Sequence, residues 1–254
     1  MQLNFKKVGA GEPLVILHGL FGSLDNWMTL AKKLGEHFEV FIVDARNHGQ
    51  SPHSEDFNYG VMADDLYEFL MQHQIIDPII LGHSMGGKTA MQFTMNYPNK
   101  LSKLIVADIA PKAYPIHHTA ILEGLLSLDL EVINTRKGAD EQLSKNIDDF
   151  STRQFLLKNL YWIEKDKLAW RFNLSIINEK IEIIGKGLEN IEVFEKPVLF
   201  IRGEKSNYIK ESDFDSIKNV FPNVKIKTMN TGHWLHAENP TEFLHIVSSF
   251  ILEN

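Results

Sequence analysis

Two hydrophobic patterns take turns along the first 111 residues: short unbroken apolar runs, and stretches in which apolar residues recur every three or four positions. Residues 3–8 alternate apolar and polar, as an edge strand does, and 9–13 reads as a turn. Leu14–Leu17, Val40–Val43, Ile79–Leu81 and Leu104–Ala107 are continuous apolar runs, the mark of parallel strands buried on both faces. Helix-type spacing lies between them. Trp27, Leu30, Ala31 and Leu34 follow a capping Asp25, and 59–75 carries Met62, Leu66, Phe69 and Leu70 on one face. A third helix starts directly after Ser84, with Ala90, Met91 and Phe93. This alternation predicts an α/β protein with a mostly parallel, doubly wound sheet, whose ligand site lies beyond the carboxyl ends of the strands.

The alternation stops at about residue 112. From there to 196 the spacing predicts helices over 119–128, 139–147, 153–160 and 168–177, and no strand. The expected organisation is therefore a core built from 1–111 and 197–254, with 112–196 inserted as a helical cap over the active edge of the sheet. Pro197–Ile201 resumes the sheet, followed by a helix over 211–220 and a strand over Val224–Met229. A last helix begins at Asn239-Pro240-Thr241-Glu242, where Asn caps, Pro takes the first helical position and Glu sits in the first turn.

Composition narrows the function. The 254 residues hold 44% hydrophobic and 23% charged side chains, ordinary for a globular chain of one large domain. A net charge of −7 argues against nucleic acid or an anionic membrane as partner. With no cysteine there is no disulfide framework, no thiol nucleophile and no thiolate metal site. Leu14–Leu17 is too short for a signal h-region, and no stretch approaches the ~20 apolar residues that span a bilayer. A cytoplasmic protein is expected.

The chemistry centres on Gly82-His83-Ser84-Met85-Gly86, between a strand and a helix. Gly-x-Ser-x-Gly in that setting is the nucleophile elbow: a turn too sharp for side chains at the glycines, which lifts a hydroxyl off the sheet edge. A serine needs a base, and the base needs a carboxylate to orient it. Of 11 histidines, His233 stands in a glycine-flanked loop just after the last strand and is the candidate base. His236 is its neighbour and is expected to pack under the loop, as His83 is expected to be structural and His18 to buttress the loop it opens.

For the acid, two positions compete. The loop after the strand at 197–201 reads Arg202-Gly203-Glu204-Lys205-Ser206-Asn207, with Glu204 as its carboxylate and a serine, not an aspartate, at 206. Asp213 and Asp215 fall in the next helix, on a face expected to be solvated. Asp108, at the carboxyl end of the strand after the elbow, can reach the same imidazole and is preferred to Glu204. The oxyanion donors expected are the N–H groups of Met85 and Leu20, the latter with Phe21 as neighbour. Adjacent His117 and His118 do not have the spacing of a metal pair, so no metal is expected.

HGLFGS with Asp25-Asn26-Trp27, then DARNHGQS, GHSMGG, VADIAP, RQFLLKNL with WRFNL, and TGHW together resemble the YbfF-type esterases of the alpha/beta hydrolase superfamily. The resemblance runs from about residue 3 to the C-terminus. It implies acyl-ester hydrolysis without a cofactor, a helical cap, and a catalytic acid after the sixth strand, where Asp108 stands. The expected function is a serine carboxylesterase with Ser84, His233 and Asp108 as triad, acting on short-to-medium acyl esters. Acyl-CoA thioesters would have Arg136, Lys137 or Arg171 of the cap for their phosphates. Phe21, Trp27 and Trp234 are the expected substrate contacts, with Tyr161, Trp162 and Trp170 as further cap aromatics. A carbon–carbon hydrolase or lyase, or a non-catalytic ligand-binding protein on the same fold, are the alternatives.

Overall fold

The computed structural model describes residues 1–115, 119–165 and 167–253. Its strands are β1 (Phe5–Val8), β2 (Glu12–Leu17), β3 (Phe38–Val43), β4 (Ile79–His83), β5 (Lys103–Ala107), β6 (Leu160–Glu164), β7 (Lys167–Trp170), β8 (Val198–Gly203) and β9 (Val224–Met229). Its helices are α1 (Met28–Leu34), α2 (Tyr59–Gln72), α3 (Met85–Asn96), α4 (Thr119–Leu126), α5 (Arg136–Leu143), α6 (Phe150–Leu157), α7 (Leu174–Gly185), α8 (Phe214–Val220), α9 (Leu235–Glu238) and α10 (Pro240–Leu252).

Seven strands form one sheet in the order β1-β3-β2-β4-β5-β8-β9, parallel throughout except for β1 against β3. The unbroken apolar runs follow from this arrangement, because successive side chains leave a strand on opposite faces and both faces are covered. Val15, Ile80, Leu104 and Val106 enter one core with Leu66, Phe69 and Phe93 of α2 and α3. Leu14, Ile16, Leu81 and Ile105 enter the other, with Leu30 and Leu34 of α1 and Phe243 and Val247 of α10. Each such side chain removed from water contributes roughly 1.5–3 kcal/mol, and truncating one to Ala costs about 2–5 kcal/mol. Asn239 accepts from the Glu242 N–H before α10, as the sequence signals, and Asn58 from the Val61 N–H before α2. Asp25 does not cap α1, which starts at Met28 without a side-chain cap, because Asp25 falls in a 3-10 turn ahead of it and pairs with Lys6.

Between β5 and β8 the chain departs from the expected all-helical insertion. β6 and β7 pair as an antiparallel hairpin, Leu160 opposite Trp170 and Trp162 opposite Leu168. The expected helix over 168–177 is thus a strand, a break at 171–173 and then α7, which starts at Leu174 with Asn173 accepting from the Ile176 N–H. Leu122, Leu143, Leu156, Phe172 and Ile177 of this segment bury a third cluster against Phe21, Phe57, Tyr59 and Met85 of the core. That contact sets a roof over the carboxyl ends of β2 and β4.

Candidate active site

The glycines of the elbow are there because nothing larger fits. A Cβ on Gly82 would lie 2.2 Å from the Gly86 carbonyl oxygen, and one on Gly86 would lie 2.4 Å from that of Leu17. Those are backbone atoms and cannot step aside. Ser84 itself is held at φ 52°, ψ −118°, a conformation that costs of order 1–3 kcal/mol. The parallel ladder holds it there, with the Ser84 N–H donating to Ala107 O at 3.0 Å. The hydroxyl therefore stands at the mouth of β4, one residue before α3.

The three residues expected to act together are brought together. Ser84 Oγ lies 3.0 Å from His233 Nε2, and His233 Nδ1 lies 2.8 Å from Asp108 Oδ2. A carboxylate only accepts, so Nδ1 carries the hydrogen and Nε2 is left as acceptor for the serine hydroxyl. Asp108 is fully buried, and its other oxygen accepts from the Gly203 N–H at 3.0 Å. Glu204 is exposed on the surface, its own N–H spent on Met229 O, and it does not join the chain.

Several surrounding residues were not read from the sequence as parts of this site. The Ser206 hydroxyl donates to Asp108 Oδ2, and its oxygen accepts from the Tyr208 N–H. The Tyr208 ring stacks on the His233 ring, centroids 4.0 Å apart. His83 is buried, and its Nε2–H donates to the His233 carbonyl at 2.9 Å. Burial pushes its pKa well below that of a free imidazole, so it stays neutral. His236 stacks flat on Trp27, centroids 4.1 Å apart, and burial takes its pKa down to about 3. Both histidines are structural, as expected. Asp213 is not: it is buried rather than solvated, its carboxylate taken by Lys112 Nζ and the Lys210 N–H, because the chain enters α8 through a 3-10 turn that points it inward.

The loop after β2 is positioned by two more neutral histidines. His18 Nδ1–H donates to Gly19 O at 2.8 Å and Nε2 accepts from the Ala45 N–H at 3.0 Å. His48 Nδ1–H donates to Arg46 O at 3.0 Å and Nε2 accepts from the Phe21 N–H at 3.2 Å. Burial lowers both pKa values, that of His48 to about 3. The DARNHGQS segment is thus the brace of this loop, with Asp44 accepting from the Leu24 N–H and Arg46 forked onto Asp65. The Phe21 N–H is occupied, whereas no acceptor among the described residues takes the N–H of Leu20 or Met85.

A cavity of about 430 Å³ opens over Ser84 and His233, walled by the core loop and by Ile121, Phe150 and Phe155 of the cap segment. Trp234 lines it opposite Phe155, ring centroids 5.7 Å apart. Of the other two expected contacts, Trp27 is only 1% exposed and Phe21 only 2%. Trp27 belongs to the sheet core through its helical spacing, and Phe21, at φ 58°, packs edge-on against Phe172. Both border the cavity from behind its surface. Tyr161, Trp162 and Trp170 do not border it, nor do Arg136, Lys137 and Arg171. Arg136 donates to Leu160 O, Lys137 faces Glu141, and Arg171 sits over the Tyr161 ring. Among the described residues, no three His, Asp or Glu side chains group to hold a metal ion, and no helix is long and apolar enough to cross a membrane. His117 and His118 lie outside the described residues.

Comparison with known proteins agrees with this architecture. The profile of the alpha/beta hydrolase fold matches residues 12–240. The chain belongs to the alpha/beta hydrolase family. The mouse sn-1-specific diacylglycerol lipase ABHD11 is 37% identical, over 94% of this chain and 80% of its own length. Esterase YbfF of Escherichia coli is 34% identical over 99% of each chain. A solved marine microorganism esterase is 44% identical and superposes with a TM-score of 0.96, covering 98% of this chain and 99% of its own. With relatives of this kind along its whole length, the chain groups with the carboxylic ester hydrolases.

Proposed function

We propose that the protein is a serine carboxylesterase in which Ser84, His233 and Asp108 form the catalytic triad. The observation that carries this reading is the continuous hydrogen-bond chain from Ser84 Oγ through both ring nitrogens of His233 to a buried carboxylate. His233 Nε2 takes the hydroxyl proton as Ser84 Oγ bonds to the ester carbonyl carbon. The oxyanion that forms is received by the free N–H groups of Leu20 and Met85; the loss of one such donor costs about 3 kcal/mol of barrier. The imidazolium, held in its tautomer by Asp108, gives the proton to the leaving alcohol as the C–O bond breaks. Water then repeats the two proton movements and releases the acid.

The substrate is a small acyl ester of short-to-medium chain, with the apolar wall from Trp234, Phe155 and Phe150 as its contact surface. Thioester turnover would use the same steps with a thiol leaving, but the cap cations expected to meet a coenzyme phosphate are engaged away from the cavity. A cytoplasmic setting fits a chain without cysteine.

A fluorophosphonate probe tests the reading. Wild-type protein should label and hydrolyse aryl esters, and Ser84→Ala should do neither. Full activity in Ser84→Ala would remove the mechanism. Turnover of a diketone in place of esters would move the same triad to carbon–carbon cleavage, and neither labelling nor turnover would leave a ligand-binding protein.

A further inference from the structure

Ser84 is flanked by two hollows of very different size. The 430 Å³ cavity contains His233. A second, of about 40 Å³, also meets Ser84 but does not touch His233, and is lined by Met85, Lys88, Tyr59, Ile109, Tyr114 and Ile184 among others. Given the esterase reading above, on which this inference rests, the two sides have different occupants. The leaving alcohol must receive its proton from His233 Nε2, so it stands in the large cavity. The acyl substituent on the same tetrahedral carbon points away from the imidazole, toward the small one. That space holds on the order of three water-sized groups, which suits a short acyl chain and no long one.

The end of this small cavity is not apolar. Lys88, one helical turn after Ser84, is only 1% exposed. Its ammonium lies 5.3 Å from the centroid of the Tyr59 ring and 4.9 Å from that of Tyr114, and donates to the Lys186 carbonyl. An ammonium has three hydrogens to donate. No carboxylate among the described residues pairs with it, whereas the other deeply buried cation, Arg46, is forked onto Asp65. A buried charge without a counter-charge is costly, and here it is kept at the wall of a cavity that also touches the nucleophile.

We propose that the small cavity is the acyl subsite, and that Lys88 selects short acyl groups ending in a carboxylate. The phenols that line the cavity with Lys88, those of Tyr59, Tyr114 and Tyr208, have their pKa values raised by burial and stay neutral. Burial alone lowers the pKa of Lys88, to about 8, so at pH 7 it is still mostly an ammonium. A substrate carboxylate would supply the missing counter-charge.

The test compares the hemisuccinate and pentanoate esters of one phenol, acyl groups of similar size that differ in terminal charge. The reading is the ratio of their kcat/KM values, in which any pH dependence common to both esters cancels. The wild-type ratio should favour the hemisuccinate about tenfold or more at pH 7, and should fall as pH rises through about 8, where the ammonium loses its proton. In Lys88→Met the ratio should drop below one. A wild-type ratio at or below one overturns the proposal, as does an unchanged ratio in Lys88→Met with a lowered melting temperature, which would make Lys88 a tie to the end of α7. If that variant does not fold, a wild-type ratio that stays flat between pH 7 and 9 is the overturning result. Ser84-dependent hydrolysis of the pentanoate without any preference for the acid sinks this proposal alone. No Ser84-dependent hydrolysis of either ester sinks it together with the esterase reading.

Discussion

The Ser206 hydroxyl donates to Asp108 Oδ2, the same oxygen that receives Nδ1–H of His233. β5 and β8 are neighbours in the sheet, so the loop that follows β8 comes down beside the end of β5. The loop lends a hydrogen-bond donor where a carboxylate was expected. Ser206 thereby helps to fix the carboxylate that orients His233. Ser206→Ala should lower kcat/KM on one aryl ester about tenfold to a hundredfold, the range of one hydrogen bond to a charged group. A wild-type kcat/KM would leave Ser206 a spectator.

Asp108→Asn should lower kcat by on the order of 10⁴ with little change in KM, because an amide at this position turns the imidazole to the wrong tautomer. Glu204→Gln should be close to wild type, since Glu204 stands in solvent. Steady-state kinetics on one aryl ester decides between them. A severe loss at Glu204 with a mild one at Asp108 would reverse the assignment.

The elements that carry Ser84, Asp108 and His233 were legible in the sequence because local physics writes them there. A strand covered on both faces has to be an apolar run, and an elbow whose Cβ positions are filled by the Gly86 and Leu17 carbonyls has to be glycine. The hairpin of β6 and β7 left no such mark: after Leu160 its first strand is half or fully exposed, so neither a run nor a clean alternation appears. Ser206 was invisible for another reason. Its role depends on which strand lies next to β8, a fact about pairing at a separation of 98 residues. Trp27 falls at helical spacing with Leu30, Ala31 and Leu34, and its ring is core that backs the cavity wall.

The buried histidines make stability depend on pH in a definite direction. His48 and His236 have folded pKa values of about 3, and His83 and His18 are also lowered, all first by burial. In the unfolded chain each returns to about 6.5. Below that pH the unfolded state binds more protons than the folded one, so stability is present above about pH 6.5 and is lost as pH falls toward 3. Each histidine contributes roughly 1.4 kcal/mol per pH unit in that window. Melting temperatures measured from pH 7.5 to 4.5 should fall steeply below 6.5. His236→Phe keeps an aromatic ring against Trp27 and removes a buried Nδ1 that has no partner. That variant should flatten the slope by one histidine's share, and an unchanged slope would show that His236 protonates inside the fold.

The roof is tied to the loop that carries the Leu20 donor at one buried point. Asn159, between α6 and β6, donates from Nδ2 to the Phe21 carbonyl at 2.7 Å and also to Leu156 O. Phe21 is held at φ 58°, a region a phenylalanine does not enter without help. Its help includes the Asn159 amide on its carbonyl, the His48 ring on its N–H, and Phe172 against its ring. Releasing the first should let the loop relax and swing the Leu20 N–H off the position of the oxyanion. Asn159→Ala should therefore lower kcat by about tenfold to a hundredfold, less than outright removal of an oxyanion donor, with a smaller change in KM. It should also lower the melting temperature, since a buried hydrogen bond to the Phe21 carbonyl is lost, at a cost of about 0.5–1.5 kcal/mol. Asn159→Asp separates the two effects. It keeps the shape but offers an acceptor to an acceptor, so it should be worse than Ala for both turnover and stability. Equal turnover in the two variants would show that the loop holds its conformation without this contact.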